Sequence, residues 1–236
     1  MSAPLASMAD RARSGTRLAC APQAVLFDLD GTLIDSAPDL VAAVEALCVE
    51  LGAPAPDAAA VRRVVSAGGR AMLRKGLPGA DDAMLDQWLP RFLDLYAVAM
   101  THRTCLYDGI REALDALVAR GIAWGIVTNK PGWLAQPLLA QLPLLADSRV
   151  LVAGDTLPQR KPDPAPVLHA CAQLRIDPAR VVMVGDDLRD VRAGRAAGTA
   201  ALIAGWGYLD GDDPATWGAD AIVATPRQLV QALGLA

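Results

Sequence analysis

The sequence predicts an α/β fold: a doubly wound parallel sheet with a small helical segment inserted after its first strand. Three observations carry that prediction. From residue 107 onward, short apolar runs bounded by turn residues alternate with amphipathic stretches of helical period. The span 36–103 breaks this rhythm and reads as helical. Polar residues end three of the apolar runs, at Asp28, Thr128 and Asp186, and open parallel sheets bind ligands beyond the carboxyl ends of their strands.

The elements follow in order. Val25, Leu26 and Phe27 read as a buried first strand. DLVAAVEALCVELG then places Leu40, Val44, Leu47 and Leu51 on one helical face, closed by Gly52. Asp57 is placed to cap a second helix, AAAVRRVVS. The helical pattern continues to residue 103, broken at 68–69 (GG) and 77–82 (LPGADD). GIREALDALVARG is an amphipathic helix ending at Gly121, IAWGIVT a strand, QPLLAQL a helix despite Pro137, and RVLVAG a strand. PAPVLHACAQL is a helix, ARVVMVG a strand, and DLRDVRAGRAAG a helix ending at Gly198. AALIAG and AIVAT are further strands, and PRQLVQAL closes the chain as a helix. The division implied is a Rossmann-like core made of residues 22–35 and 104–236, a helical cap over 36–103, and a disordered tail over 1–21, with Met8 as an alternative first residue.

Composition narrows the chemistry. The net charge of −4 argues against binding nucleic acid or an anionic membrane in bulk, although it allows a local basic site for a small anion. No apolar run is long enough to span a bilayer. Cys20, Cys48, Cys105 and Cys171 are widely spaced, and three lie in helical or core-like surroundings, so reduced thiols and a cytoplasmic location are expected. Two histidines, His102 and His169, leave no room for a multi-histidine zinc site and little for a Ser-His-Asp triad. The chemistry must rest on carboxylates.

The stretch VLFDLDGTLIDS sets two of them, Asp28 and Asp30, one residue apart at a strand end. Residues i and i+2 of an extended chain point the same way, so both can face one ligand unless the turn at Gly31 diverts the second. A divalent cation between them and a third acid removes their repulsion; Asp186 is the natural third, and hard oxygen ligands suit Mg2+. Alone, the stretch also fits a solvated Asp-Gly surface turn. Thr128, Asn129 and Lys130 offer a hydroxyl and backbone amides to a phosphate oxygen, or else a helix cap. Lys161, in QRKPDP, is a point charge for phosphate or a solvated loop lysine. In GDDLRD, Asp187 reads as a helix cap, whereas Asp186 and Asp190 share a face. Asp186 is assigned to the metal and Asp190 to orienting either Lys161 or a metal-bound water. Asp35 and Ser36 begin a hinge.

DLDGT, the Thr128 strand end, Lys161 before PDP, and GDDLRD resemble, in that order, the four motifs of the haloacid dehalogenase superfamily. The similarity covers nearly the whole chain after residue 22. DGTLIDSAPDL, VTNKP, KPDP and AAGT are similar to bacterial phosphoglycolate phosphatases. VVSAGGRAML, GDDLRDVRAGRAAG and WGYLDGDDPATWGAD are similar to N-acetylmuramic acid 6-phosphate phosphatases. The resemblance implies a Mg2+-dependent phosphatase in which Asp28 attacks phosphorus and Asp30 protonates the leaving oxygen and later activates water. It implies a metal held by Asp28, the backbone carbonyl of Asp30, and Asp186, with Thr128, Asn129 and Lys161 spreading the phosphoryl charge. It also implies a cap that sets selectivity. In SAGGRAML, Gly68 and Gly69 allow close approach, and Arg70 either meets a substrate carboxylate or starts a helix in water. The expected partner is a small phosphorylated metabolite, with no nucleic acid and no membrane, for a monomer or homodimer. The leading expectation is 2-phosphoglycolate, followed by N-acetylmuramic acid 6-phosphate; a sugar phosphomutase would share the same core motifs.

Overall fold

The computed structural model describes residues 21–211 and 213–235. The tail expected over 1–21 lies outside the described residues except for Ala21. Aliphatic residues without polar interruption make Ala24–Phe27 (β1) a strand buried on both faces, as a central parallel strand must be. It pairs in parallel with Ala123–Val127 (β4) on one side and Val181–Gly185 (β6) on the other. Leu151–Val152 (β5) extends the sheet beyond β4; Ala200–Ala204 (β7) and Ala221–Val223 (β8) extend it beyond β6. The order is β5-β4-β1-β6-β7-β8, and every pair is parallel.

That order has a consequence for function. From β1 the chain moves outward to β4 and β5, then returns to the other side of β1 at β6 and moves outward again. The reversal opens a crevice at the carboxyl ends of β1, β4 and β6, where Asp28, Thr128 and Asp186 follow their strands. Ring packing of Phe27 against Trp124, edge to face at 6.5 Å, ties β1 to β4 beneath that edge.

Two two-residue strands, Ile34–Asp35 (β2) and Cys105–Leu106 (β3), pair antiparallel and bring both ends of the intervening segment together. Between them run four helices: Ala37–Glu50 (α1), Ala58–Arg63 (α2), Gly69–Gly76 (α3) and Asp82–Ala99 (α4). Asp57 and Asp81 cap α2 and α4, accepting the N–H groups of Ala60 and Met84. The buried carboxylate of Asp39, in the first turn of α1, accepts the N–H of Arg103 and both the N–H and hydroxyl of Thr104. The segment is thus pinned at its root.

The sequence expectations need adjusting at several points. Helix α1 ends at Glu50, so Leu51 falls off the apolar face and is exposed, while Leu40, Val44 and Leu47 are buried. Cys105 is exposed on β3, whereas Cys48 and Cys171 are buried free thiols. The strands β2 and β3 and a four-residue helix, Pro143–Ala146, were not anticipated. Among the described residues no helix is long and apolar enough to cross a membrane.

Candidate active site

The end of β1 is shaped by what glycine permits. Asp28 N–H donates to Val184 O at 2.9 Å, so β1 stays paired up to the residue that carries its carboxylate. Gly31 then adopts φ +89°, and a Cβ there would run into the Asp186 carboxylate. The same crowding recurs at Gly185, where a Cβ would strike the Asp190 carboxylate. Two missing side chains therefore let the acids after β6 close on the end of β1.

Asp28, Asp186 and Asp190, all buried, bring carboxylate oxygens within 4.8 Å of one another. Lys161 Nζ lies 2.8 Å from Asp28 Oδ1 and 2.6 Å from Asp190 Oδ1. Burial alone would lower the lysine's pKa, but Asp190 and Asp28 outweigh it and hold the ammonium above its ordinary range. Asp186 instead accepts only neutral donors: Thr32 Oγ1, Ser66 Oγ and Tyr208 N–H, each at 2.9 Å. Burial and then repulsion from Asp28 and Asp190 push its carboxyl up to about 8. Asp190, desolvated and also facing Asp28, is raised to about 7 despite Lys161. Three carboxylates facing one ammonium leave excess negative charge among hard oxygen donors, and this fits a divalent cation.

Several expected residues sit differently. The turn at Gly31 sends the Asp30 carboxylate away from the trio: it accepts Ser36 Oγ at 2.5 Å and pairs with Lys130 Nζ at 3.0 and 3.2 Å. Asp190 is the third carboxylate of the cluster, and a part for Asp30 in holding a metal falls to its backbone carbonyl, as the resemblance implies. The Asn129 side chain is engaged with Lys161: Oδ1 accepts Lys161 N–H at 3.0 Å and Nδ2 donates to Lys161 O at 2.9 Å, clamping the lysine's backbone. Arg70 pairs with Asp86 at 3.0 Å and Asp82 at 3.5 Å, on α4 and at a half-exposed position, so its guanidinium joins no group of the cluster. Thr128 Oγ1 accepts the Lys130 N–H at 3.1 Å, which leaves the hydroxyl hydrogen to donate. Asp187 caps the helix Leu188–Ala197 in a capping box with Asp190. Of the two roles open to Asp190, the contact seen is with Lys161.

Sequence reasoning gave no role to three side chains, those of Lys130, Ser66 and Tyr208. Lys130 touches both Asp30 and, at 2.9 Å, the Tyr96 hydroxyl of α4, with its ammonium 4.5 Å from the ring centroid. Ser66, just before α3, reaches Asp186, and its backbone carbonyl accepts from Arg189. Tyr208 donates its N–H to Asp186 while its hydroxyl accepts the N–H groups of Ser36 and Ala37 at 3.0 Å. Only proximity to VTNKP, SAGGR and WGY marked them in the sequence.

Buried acids grouped around one lysine at the switch point of a parallel sheet define an enzyme that handles an anionic group with carboxylates. The chain belongs to the haloacid dehalogenase-like hydrolase family, whose pattern matches residues 25–204. It is 46% identical over 213 residues to an N-acetylmuramic acid 6-phosphate phosphatase of Pseudomonas aeruginosa, covering 89% of this chain and 94% of that protein. It is 47% identical over 209 residues to a phosphoglycolate phosphatase of Xanthomonas campestris pv. campestris, covering 88% and 95%. A crystal structure described as a predicted phosphoglycolate phosphatase from Haemophilus somnus superposes with a TM-score of 0.80 at 25% identity, covering 89% of this chain and 96% of that one. The chain is accordingly a phosphoric monoester hydrolase.

Proposed function

We propose that the enzyme hydrolyses 2-phosphoglycolate to glycolate and phosphate through an aspartyl-phosphate on Asp28. The observation that carries this reading is the Lys161 bridge between Asp28 and Asp190, which holds an otherwise repelled carboxylate at a strand end with one oxygen engaged. The other Asp28 oxygen attacks phosphorus and the ester oxygen departs. Asp30 gives that oxygen a proton, later takes one from the water that attacks the aspartyl-phosphate, and so regenerates Asp28 as phosphate leaves. Thr128 Oγ1 and Lys161 meet the phosphoryl oxygens, and Asn129 acts by fixing Lys161. Asp28, Asp186 and the Asp30 backbone carbonyl would hold Mg2+, which would supply charge neutralisation for the phosphoryl group. The four helices of residues 37–99 form a lid whose Ser66 and Tyr96 reach the core, so its docking excludes water. Free Cys48 and Cys171 support a reducing, cytoplasmic setting.

A second reading, N-acetylmuramic acid 6-phosphate, is favoured by the likeness to the Pseudomonas aeruginosa protein. Parallel kcat/KM measurements on the two esters with Mg2+, with Asp28→Asn as control, decide between them. The first reading requires the higher value on 2-phosphoglycolate, release of free phosphate rather than an isomer, and loss of turnover in the variant.

A further inference from the structure

We infer that Lys130 is the residue that recognises the substrate's carboxylate, and that it selects phosphomonoesters carrying a carboxylate one carbon from the ester oxygen. The inference rests on the reading of Asp30 as the acid for the leaving oxygen. In 2-phosphoglycolate a single methylene separates that oxygen from the carboxylate. A cation that reads the carboxylate must therefore lie beside Asp30.

Lys130 has that position. Its ammonium is within 3.2 Å of both Asp30 oxygens, and its side chain is only 6% exposed. Among the described residues, four other cations near the trio and the helical segment already have partners. Lys161 bridges Asp28 and Asp190, and Arg189 forks onto Asp187 and the Ser66 carbonyl. Arg62 pairs with Asp35 at the hinge, and Arg70 with Asp82 and Asp86. An ammonium is a compact charge with three rotatable donors, so one of its two contacts to Asp30 can pass to a second carboxylate while the Tyr96 contact stays.

Tyr96 completes the recognition. Its hydroxyl accepts from Lys130, so its own hydrogen is left to donate to the same carboxylate, while its ring covers the ammonium and keeps water from competing. Because Tyr96 belongs to α4, the carboxylate is fully held only with the helical segment docked. Substrate choice and closure then depend on one pair of side chains. The lactyl carboxylate of N-acetylmuramic acid 6-phosphate sits across the sugar ring from the phosphorylated oxygen and is out of reach of this device.

The test compares kcat/KM for 2-phosphoglycolate and for ethyl phosphate, which lacks the carboxylate, in wild type, Lys130→Met, Lys130→Arg and Tyr96→Phe. The ratio of the two values within one preparation does not depend on the fraction folded. Wild type should prefer 2-phosphoglycolate, and Lys130→Met should cut that preference by about 10- to 100-fold, the worth of a charge-assisted hydrogen bond. Lys130→Arg should retain part of the preference, and Tyr96→Phe should lose part of it. An equal loss on both esters in Lys130→Met overturns the inference, since Lys130 then acts only on Asp30, and leaves the proposed function standing. A wild type with no preference for the carboxylated ester overturns both.

Discussion

Lys161 holds together two carboxylates that would otherwise repel, and its worth is measurable apart from turnover. Lys161→Met strands Asp28 and Asp190 as buried charges without a partner, which costs about 3–5 kcal/mol in urea unfolding without a divalent cation. Added Mg2+ should recover part of the stability but not the turnover, because the proposed donor to the phosphoryl group is still missing. Asp30→Asn acts differently. It keeps the shape, removes the proposed proton carrier, and should lower kcat by about 10²- to 10⁴-fold in steady-state assays. At this scale the convergence of Asp28, Lys161, Asp186 and Asp190 was legible, because strand ends and i, i+4 spacing fix where such residues point. The direction of Asp30 was not, since it depends on a positive φ at Gly31 that sequence spacing does not encode. The pairing of Arg70 with Asp82 and Asp86 was not legible either, because these acids follow a turn whose path only packing determines.

The alternation of apolar runs and amphipathic stretches made the parallel sheet legible, whereas β2 and β3, with two residues each, are too short to leave a period. Yet these strands, with Asp39, hold the root of the helical segment. Asp39→Ala leaves the N–H groups of Arg103 and Thr104 and the Thr104 hydroxyl without their acceptor. The loss should be at least about 1–3 kcal/mol, the cost of one stranded buried donor, read by chemical denaturation. Because both strands border the segment that carries Ser66 and Tyr96, the same variant should raise KM more than it lowers kcat. A fall in stability with unchanged KM would assign Asp39 to folding alone.

Across the whole molecule, the acidic trio joins residue 28 to residues 186 and 190, so a cation held there would be linked to global stability. Without a divalent cation, the carboxyls of Asp186 and Asp190 are raised to about 8 and about 7 by burial and by their charged neighbours. The ordinary value, which the unfolded chain keeps, is 3.8. Between about pH 4 and pH 8 the folded protein thus binds more protons than the unfolded one, and its stability must fall as pH rises through that window. A cation binds the deprotonated carboxylates and reverses the trend, adding about 2.7 kcal/mol at one hundred times its dissociation constant. Thermal unfolding with EDTA and with saturating Mg2+ should therefore give Tm values that nearly coincide at the acid end and separate steadily toward pH 8. Asp186→Asn should abolish most of that separation while raising the EDTA Tm at the alkaline end, because it removes a charge that folding must bury. A Tm gap that does not change with pH would mean that the cation is bound by groups other than these carboxylates.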